Sequence, residues 1–157
     1  MEIVIRKAVK EDCKRMMELV HELAVYEKLL HEVTADESLL KKTLFDTEYA
    51  KVLIAEYDGE PAGMALYFHS YSTFLGKPGI YLEDLYVKEK FGGKGLGKGL
   101  LKKLAEICDE NDFGRLEWSV LDWNKPSIDF YESLGADSQD EWIKYRVTGD
   151  TLKKLSE

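Results

Sequence analysis

Four alternating glycines mark the stretch that most constrains the fold. They are Gly93, Gly95, Gly97 and Gly99. They lie in KFGGKGLGKGLLKKL (residues 90–104), directly after the strand-like run IYLEDLYV (80–87), and an apolar pattern of helical period follows them. The sequence therefore predicts a strand, a glycine-rich turn and a helix. Backbone without Cβ atoms can approach a ligand closely, and a helix N-terminus favours an anion such as phosphate.

The glycine spacing separates this turn from two familiar phosphate-binding loops. A dinucleotide loop needs G-x-G-x-x-G, but Lys98 or Leu100 takes the place of the third glycine. A nucleotide-triphosphate loop needs G-x-x-x-x-G-K-[ST]. Residues 92–98 fit its first seven positions, but Gly99 then offers no hydroxyl for Mg²⁺. A nucleotide-phosphate enzyme therefore remains only a remote alternative.

Composition bounds the partners and the compartment. With 30 acidic and 22 basic residues the net charge is −8, which repels nucleic acid and anionic membranes and favours a small cationic partner. A length of 157 residues suits one domain over 1–157. No apolar run spans a membrane and residues 1–10 lack a signal-peptide core, so a cytoplasmic location is expected. Cys13, Cys108 and the scattered histidines suggest no metal site.

Periodicity along the chain predicts alternating strands and helices. Strands are expected at 2–6, 51–57, 61–69, 80–87, 115–120 and 141–147, and helices at about 10–26, 37–45, from the glycine turn to about 111, and 126–134. Asp58-Gly59 predicts a hairpin, and 70–79 a loop. Because hairpin and crossover connections both occur, we expect an α/β (α+β) fold with a mixed, mostly antiparallel sheet and helices on both faces.

Five stretches carry a resemblance to a known family. They are VIRKAVKEDC, ELAVYEKL, YLEDLYV, GKGLG and WNKPSIDFYESLGA. With the element order, they resemble GNAT-type N-acetyltransferases, and more narrowly the spermidine/spermine N-acetyltransferase branch. The resemblance covers nearly the whole chain. It implies the GNAT fold, acetyl-CoA as the acetyl donor and a homodimer.

The resemblance also implies where acetyl-CoA binds. In this family the cleft opens where two neighbouring parallel strands splay, and pantetheine would contact the main chain of Leu85, Tyr86 and Val87. The pyrophosphate would lie on the turn formed by Gly93, Lys94, Gly95, Leu96, Gly97 and Lys98. The other side of the cofactor would be lined by Asn124, Lys125, Pro126, Ser127 and Tyr131.

One position departs from the family pattern in that turn. Gly95 and Gly97 fit the family's [Q/R]-x-x-G-x-[G/A], but Gly92 stands where the family has Gln or Arg. Backbone N–H groups and the lysines at 90, 94 and 98 would then carry more of the phosphate binding, and we expect a weaker CoA affinity. The loop after Gly135 is also shorter than in the animal members.

Acetyl transfer to an amine requires a base and an acid. An aliphatic amine has a pKa near 10.4 and must lose a proton before it attacks a thioester. By resemblance, Glu83 would be the substrate ligand and base, acting through water. A main-chain N–H near residues 85–87 would stabilise the oxyanion, and Tyr131 would protonate the departing thiolate. Strand alternation predicts that Glu83 and Asp84 point to opposite faces. The alternative interpretation is that both are edge or ion-paired carboxylates.

Further residues are implied as substrate contacts. These are Tyr26, Glu27, Glu83, Asp84, Glu117, Trp118, Ser119, Glu141 and Trp142. An aromatic face beside a carboxylate suits an ammonium, although packing explains several of these side chains equally well.

The leading hypothesis is a direct N-acetyltransferase that acts on a small polyamine or diamine without a covalent enzyme intermediate. Thialysine or another lysine-like amino acid is the closest alternative acceptor. A non-catalytic CoA-binding module is the alternative of another class. It would be favoured if Tyr131 were buried away from the cleft.

Overall fold

The fold is built on one five-stranded sheet in the computed structural model, which describes residues 2–157. Its strands are β1 (Ile3–Lys7), β2 (Lys51–Tyr57), β3 (Glu60–Ser72), β4 (Lys77–Val87) and β5 (Leu116–Trp118). The α-helices are α1 (Cys13–Tyr26), α2 (Glu37–Leu40), α3 (Leu96–Glu110), α4 (Lys125–Ser133) and α5 (Gly149–Leu155). Short 3₁₀ turns lie at Lys10–Asp12, Leu30–Glu32 and Glu89–Phe91.

The strand order follows the chain, from β1 to β5. The pairs from β1 to β4 are antiparallel, and β4 pairs with β5 in parallel. A tight hairpin with Asp58 at φ 49° and Gly59 at φ 84° joins β2 to β3. A parallel pair needs a crossover, and α3 supplies it between β4 and β5. The prediction of a mixed, mostly antiparallel sheet is confirmed.

Helices cover both faces of this sheet, as predicted. On one face, Met16 and Leu19 of α1 pack against Ile54 and Met64 of the central strands. The residues next to these in each strand, such as Ala55 beside Ile54, point to the opposite face of the sheet. On that face the Ile5 side chain approaches Gly99 of α3. The glycine turn lies between the end of β4 and the start of α3.

The β3–β4 hairpin is longer than the sequence predicts. Residues 70–79 were expected to form a loop, but β3 continues to Ser72 and β4 begins at Lys77. The turn residues Pro78 and Gly79 misled the prediction. Gly79 instead lies within β4, where a Cβ would come within 2.7 Å of the Arg115 carbonyl oxygen. Glycine at this position therefore permits a close approach of the two backbones.

Three other elements differ from their predicted bounds. The helix expected at 37–45 is α2 followed by a π-helical turn, Lys41–Asp46, and the strand expected at 115–120 is the shorter β5. The strand expected at 141–147 is absent from the described residues. That prediction was wrong because alternation makes a strand only where a neighbour pairs with it. Here Trp142 and Tyr145 are 78% and 89% exposed.

The chain divides into two compact units. The first ends at Ser119 and contains the whole sheet with α1, α2 and α3. The second, Val120–Glu157, contains α4 and α5. One domain over residues 1–157 stays a prediction. Within residues 2–157, every helix is too short or too polar to cross a lipid bilayer.

Candidate active site

The outer edge of β4 is unpaired near its end. The parallel ladder with β5 stops at Leu82 and Trp118, whereas β4 continues to Val87. On its inner edge β4 remains paired with β3 as far as Val87 and Gly63. Across residues 2–157 no further strand joins the outer edge, so its main-chain groups at 85–87 are available to a ligand.

A β-bulge in the pairing of β3 with β4 lies next to the point where β4 and β5 separate. Tyr67 pairs with Leu82 and Leu66 pairs with Asp84, which leaves Glu83 as the extra residue. The simple alternation expected for Glu83 and Asp84 is therefore interrupted. Leu66 packs against the core on the α1 side, so its partner Asp84 lies on that face of the sheet.

Three carboxylates share the region beside the bulge. Burial, with the charges of Glu83 and then Glu27, raises the pKa of Asp84 to about 6. Burial and the charge of Glu83 also raise the pKa of Glu27, the C-cap residue directly after α1. In the described part of the chain, none of the three forms an ion pair, and no three His, Cys, Asp or Glu side chains are arranged to hold a metal ion. The region favours an incoming cation.

Beside the gap between β4 and β5, two side chains on the β5 side already have partners within the protein. Arg115 Nε forms an ion pair with Glu117 Oε1 at 2.9 Å, which offsets the negative charge of that carboxylate. Tyr81 Oη and Ser119 Oγ are hydrogen-bonded at 2.8 Å. Three predicted substrate contacts lie at or just after β5. Trp118 is the last residue of the β4–β5 ladder, Ser119 is hydrogen-bonded to Tyr81 of β4, and the charge of Glu117 is offset by Arg115. Tyr26 lies 47% exposed at the end of α1.

The glycine turn presents unpaired N–H groups. Gly93 and Gly95 have φ of 74° and 87°, and a Cβ at either would meet no atom within 4 Å. Gly95 is the N-cap of α3, and no side chain caps the helix. Its first backbone bond runs from Gly99 N–H to the Gly95 carbonyl at 2.9 Å, so the N–H groups of residues 96–98 have no carbonyl partner within the helix. This arrangement fits a phosphate group.

Two lysines near the turn are held by aromatic rings. The Lys94 ammonium lies 5.3 Å from the centroid of the Tyr57 ring, and the Lys90 ammonium lies 5.0 Å from that of Phe91. Lys90 also pairs with Glu60 at 3.1 Å. Phosphate binding by the side chains of Lys90 and Lys94 would require them to leave these contacts, whereas Lys98 stands exposed on the first turn of α3.

The remaining predicted residues belong to the second unit. Asn124 caps α4 by accepting a hydrogen bond from Ser127 N–H at 3.4 Å, Pro126 lies in the first turn, and Lys125 is ion-paired with Asp129. Tyr131 lies on the same helix with its ring 5.7 Å from that of Phe130. Tyr131 is half-buried, and Glu141 and Trp142 are exposed.

One group of residues was missed by sequence analysis. Glu22 of α1 accepts hydrogen bonds from Tyr86 Oη at 3.2 Å and Lys88 Nζ at 2.7 Å. A cavity of about 480 Å³ opens beside them and is lined by Glu22, Lys88, Glu89 and Lys90. Glu22 lies far from Lys88 in sequence, and a single glutamate on an amphipathic helix carries no local pattern that predicts such a partner.

Comparison with known proteins identifies relatives over the whole length. The family model described as "Acetyltransferase (GNAT) family" matches residues 15–136. The chain is 39% identical to thialysine N-epsilon-acetyltransferase of Bos taurus, over 98% of this chain and 97% of that protein. It is 33% identical to human spermidine/spermine N(1)-acetyltransferase-like protein 1, over 97% of this chain but 23% of that protein. An integron cassette protein from the mobile metagenome of V. cholerae has a similar structure, with a TM-score of 0.84, 28% identity and coverage of 100% and 99% of the two chains.

Proposed function

Since the chain belongs to the GNAT family of acetyltransferases, we propose that it transfers acetyl from acetyl-CoA to a primary amine of a small polyamine or diamine. The named relatives support acetyl transfer to an amine. One observation carries the choice of acceptor: Glu27, Glu83 and Asp84 share a region beside the end of the β4–β5 ladder, and none of them is ion-paired within residues 2–157. A molecule with two ammonium groups would neutralise most of that charge.

The cofactor end is supported by the free β4 edge and the glycine turn. The main chain of Leu85, Tyr86 and Val87 would bind pantetheine, and the N–H groups of Leu96, Gly97 and Lys98 would bind the pyrophosphate. Side chains of the first turn of α4, Asn124 to Ser127, would line its other side. Bound acetyl-CoA supplies the acetyl group as an activated thioester.

The acceptor end is supported by the electrostatics of the three carboxylates. An ammonium near them would be attracted, and Glu83 would hold it and accept its proton through a water molecule. Asp84 would contribute its charge above about pH 6, where its raised pKa leaves it ionised. Tyr26 and Glu27 at the end of α1 would contact the same substrate. Deprotonation then leaves the free amine as the nucleophile.

Tyr131 is the proposed general acid. A phenol with a pKa near 10 can donate a proton to the departing sulfur without being ionised at rest. Tyr131 is half-buried, so part of its side chain is open to solvent. A purely CoA-binding module would be better supported by a tyrosine enclosed in the core.

Thialysine is a second candidate acceptor. The bovine relative of that name supports it. Thialysine also has two ammonium groups, but its α-carboxylate lowers its net charge to +1 and is repelled by Glu27, Glu83 and Asp84. The two acceptor classes therefore differ in charge, and competition between them tests the proposal directly.

Thiol release from acetyl-CoA by the purified protein is the decisive experiment. The panel contains spermidine, spermine, putrescine, thialysine, lysine and an aminoglycoside, with Tyr131→Phe as the variant that lacks the proposed general acid. We expect the highest kcat/KM on a polyamine or diamine and little turnover by Tyr131→Phe. Faster turnover of thialysine would replace the proposed acceptor by the second candidate. CoA binding without turnover of any amine would favour the binding module.

Two further proposals follow from the family. We propose that the protein is a homodimer and acts in the cytoplasm. The net charge of −8 supports a soluble partner of positive charge over nucleic acid or an anionic membrane. Sedimentation equilibrium tests the dimer, because a monomer mass near 18 kDa at all concentrations would contradict it.

A further inference from the structure

A single carboxylate on α1 holds the end of the strand that carries the proposed cofactor edge. Glu22 Oε1 accepts a hydrogen bond from Tyr86 Oη at 3.2 Å, and Oε2 accepts one from Lys88 Nζ at 2.7 Å. Tyr86 and Lys88 flank Val87, the last residue of β4. Because residues two apart on an extended chain point the same way, one side chain bonds both.

This bridge is partly shielded from water. The side chains of Lys88 and Glu22 are 19% and 38% exposed, less than in the other lysine–carboxylate pairs of the first unit. Burial raises the pKa of Tyr86 to about 12, so its phenol stays a neutral donor throughout the physiological range. Hydrogen bonds to an ionised carboxylate are stronger than neutral ones.

The strand needs this restraint because it has a neighbour on only one side. The β5 ladder ends at Leu82, and from Glu83 onward β3 is the only strand among residues 2–157 that pairs with β4. That inner pairing continues past the strand, since Lys88 N–H donates to the Ala62 carbonyl at 2.8 Å. Backbone paired along one edge can still move out of the sheet plane. Glu22 opposes that movement from the α1 side.

The same helix also carries the acceptor end. Tyr26 lies one helical turn beyond Glu22 on the same face and is the last residue of α1, and Glu27 follows as its C-cap. A displacement of the β4 edge relative to α1 would therefore change the distance between the donor edge and the amine-binding carboxylates. Small displacements of this kind weaken both binding and catalysis.

We propose that Glu22 is a positioning residue that sets the cofactor-binding edge of β4, and its distance from the amine-binding end of α1, by holding Tyr86 and Lys88. The inference rests on the proposed function. It assigns no contact between Glu22 and either substrate. Its role is to fix two elements that do make contact.

The test compares Glu22→Ala with a matched control on the same helix. Glu18 forms an ion pair with Arg15 at 3.2 Å within α1, so Glu18→Ala removes the same charge without touching β4. CoA affinity is measured by calorimetry without an amine. We expect the Kd to rise about five- to tenfold in Glu22→Ala and to stay within about twofold in Glu18→Ala. The charge swap Glu22→Lys with Lys88→Glu should recover most of the lost affinity.

Each outcome decides the proposal. It is overturned if the Kd of Glu22→Ala matches that of Glu18→Ala, or if the charge swap binds CoA no better than Glu22→Ala. A purely structural ion pair would lower Tm and leave the CoA Kd unchanged, which also overturns it. If Glu22→Ala does not fold, the CoA Kd of Lys88→Met is compared with that of the charge swap, and the same criteria apply. A wild-type protein that binds CoA but acetylates no tested amine would refute the proposed acceptor and leave this comparison intact.

Discussion

Leu82 and Trp118 are the last residues that pair β4 with β5, and β4 runs on to Val87 without that neighbour. A strand edge inside a folded protein carries N–H and C=O groups that must find partners. Within residues 2–157 no strand pairs with the outer edge along residues 83–87, while β3 keeps the inner edge in place. The proposed donor site is thus an edge formed in advance by the fold.

Tyr131→Phe tests the general acid. Without the phenolic proton the leaving thiolate has no positioned donor, so we expect kcat to fall about 10²-fold while the Kd for CoA changes less than about twofold. Tyr145→Phe is the control, because Tyr145 lies 89% exposed in the same unit. Steady-state kinetics and calorimetry on both variants check this. An unchanged kcat in Tyr131→Phe would remove the residue from the mechanism.

Gly95→Ala tests the glycine turn. Gly95 has φ 87°, which a residue with a Cβ adopts at a cost of about 1–2 kcal/mol. We expect a lower Tm and about tenfold weaker CoA binding, because the N–H groups that follow would be displaced. Gly59→Ala is matched, since Gly59 has φ 84° and equally open surroundings in the β2–β3 hairpin. It should lose similar stability and keep its CoA affinity. If Gly95→Ala and Gly59→Ala bind CoA with equal affinity, the result would argue against phosphate binding at the turn.

Asp84→Asn tests the raised pKa. Folding raises that pKa from 3.8 to about 6, so the folded protein binds the proton more tightly and stability falls as pH rises from about 4 to 6. Asparagine escapes this penalty. We expect Asp84→Asn to be more stable than wild type by about 3 kcal/mol near pH 7, with the difference disappearing as the pH falls below 4.

The same substitution should raise KM for the amine above pH 6, where a charge is lost. Urea unfolding at several pH values, with the exposed Asp137→Asn as control, measures the stability difference. A pH-independent difference would contradict the burial of the charged carboxyl.

Asp12→Ala tests a structural ion pair. Asp12 is 8% exposed and accepts hydrogen bonds from both Arg6 terminal nitrogens at 2.8 and 2.9 Å. A third comes from Val9 N–H at 2.7 Å. Its removal should cost about 2–3 kcal/mol at neutral pH. The exposed Lys10–Asp46 pair gives the control, because Asp46→Ala should cost under about 0.5 kcal/mol.

The Asp12 effect should also depend on pH. Hydrogen bonds from Arg6 lower the Asp12 pKa below 3.8, so its contribution is complete above that value and is lost as the pH falls further. Wild type and Asp12→Ala should therefore converge in acid. Thermal unfolding between pH 2 and 7 follows this convergence, and parallel curves would contradict it.

Most elements were predictable because local signals agreed with the fold. Residues 51–57 have the same bounds in prediction and structure, since an apolar β-branched run meets the Asp58-Gly59 turn. The helix after the glycine turn was predictable from its apolar period. The roles of Tyr131 and Glu83 came from family resemblance and stay predictions.

The rest depends on contacts between distant parts of the chain. Gly79 looks like a loop residue until the Arg115 carbonyl is placed beside it. The extra residue at Glu83 is defined only by the register against Leu66 and Tyr67. Residues 141–147 alternate like a strand but have no partner among the described residues. Sequence periodicity reports which side of a segment is apolar, and it does not report what lies opposite.

The free edge of β4 has an evolutionary consequence. A ligand held by main-chain atoms is indifferent to the side chains of the strand that holds it, so selection on donor binding leaves those side chains open to drift. If the proposed roles hold, substitutions at Glu27 or Asp84 would exchange one acceptor for another while acetyl-CoA binding stays unchanged. In a lineage with this architecture, new acceptor specificities need few mutations and no period without the cofactor.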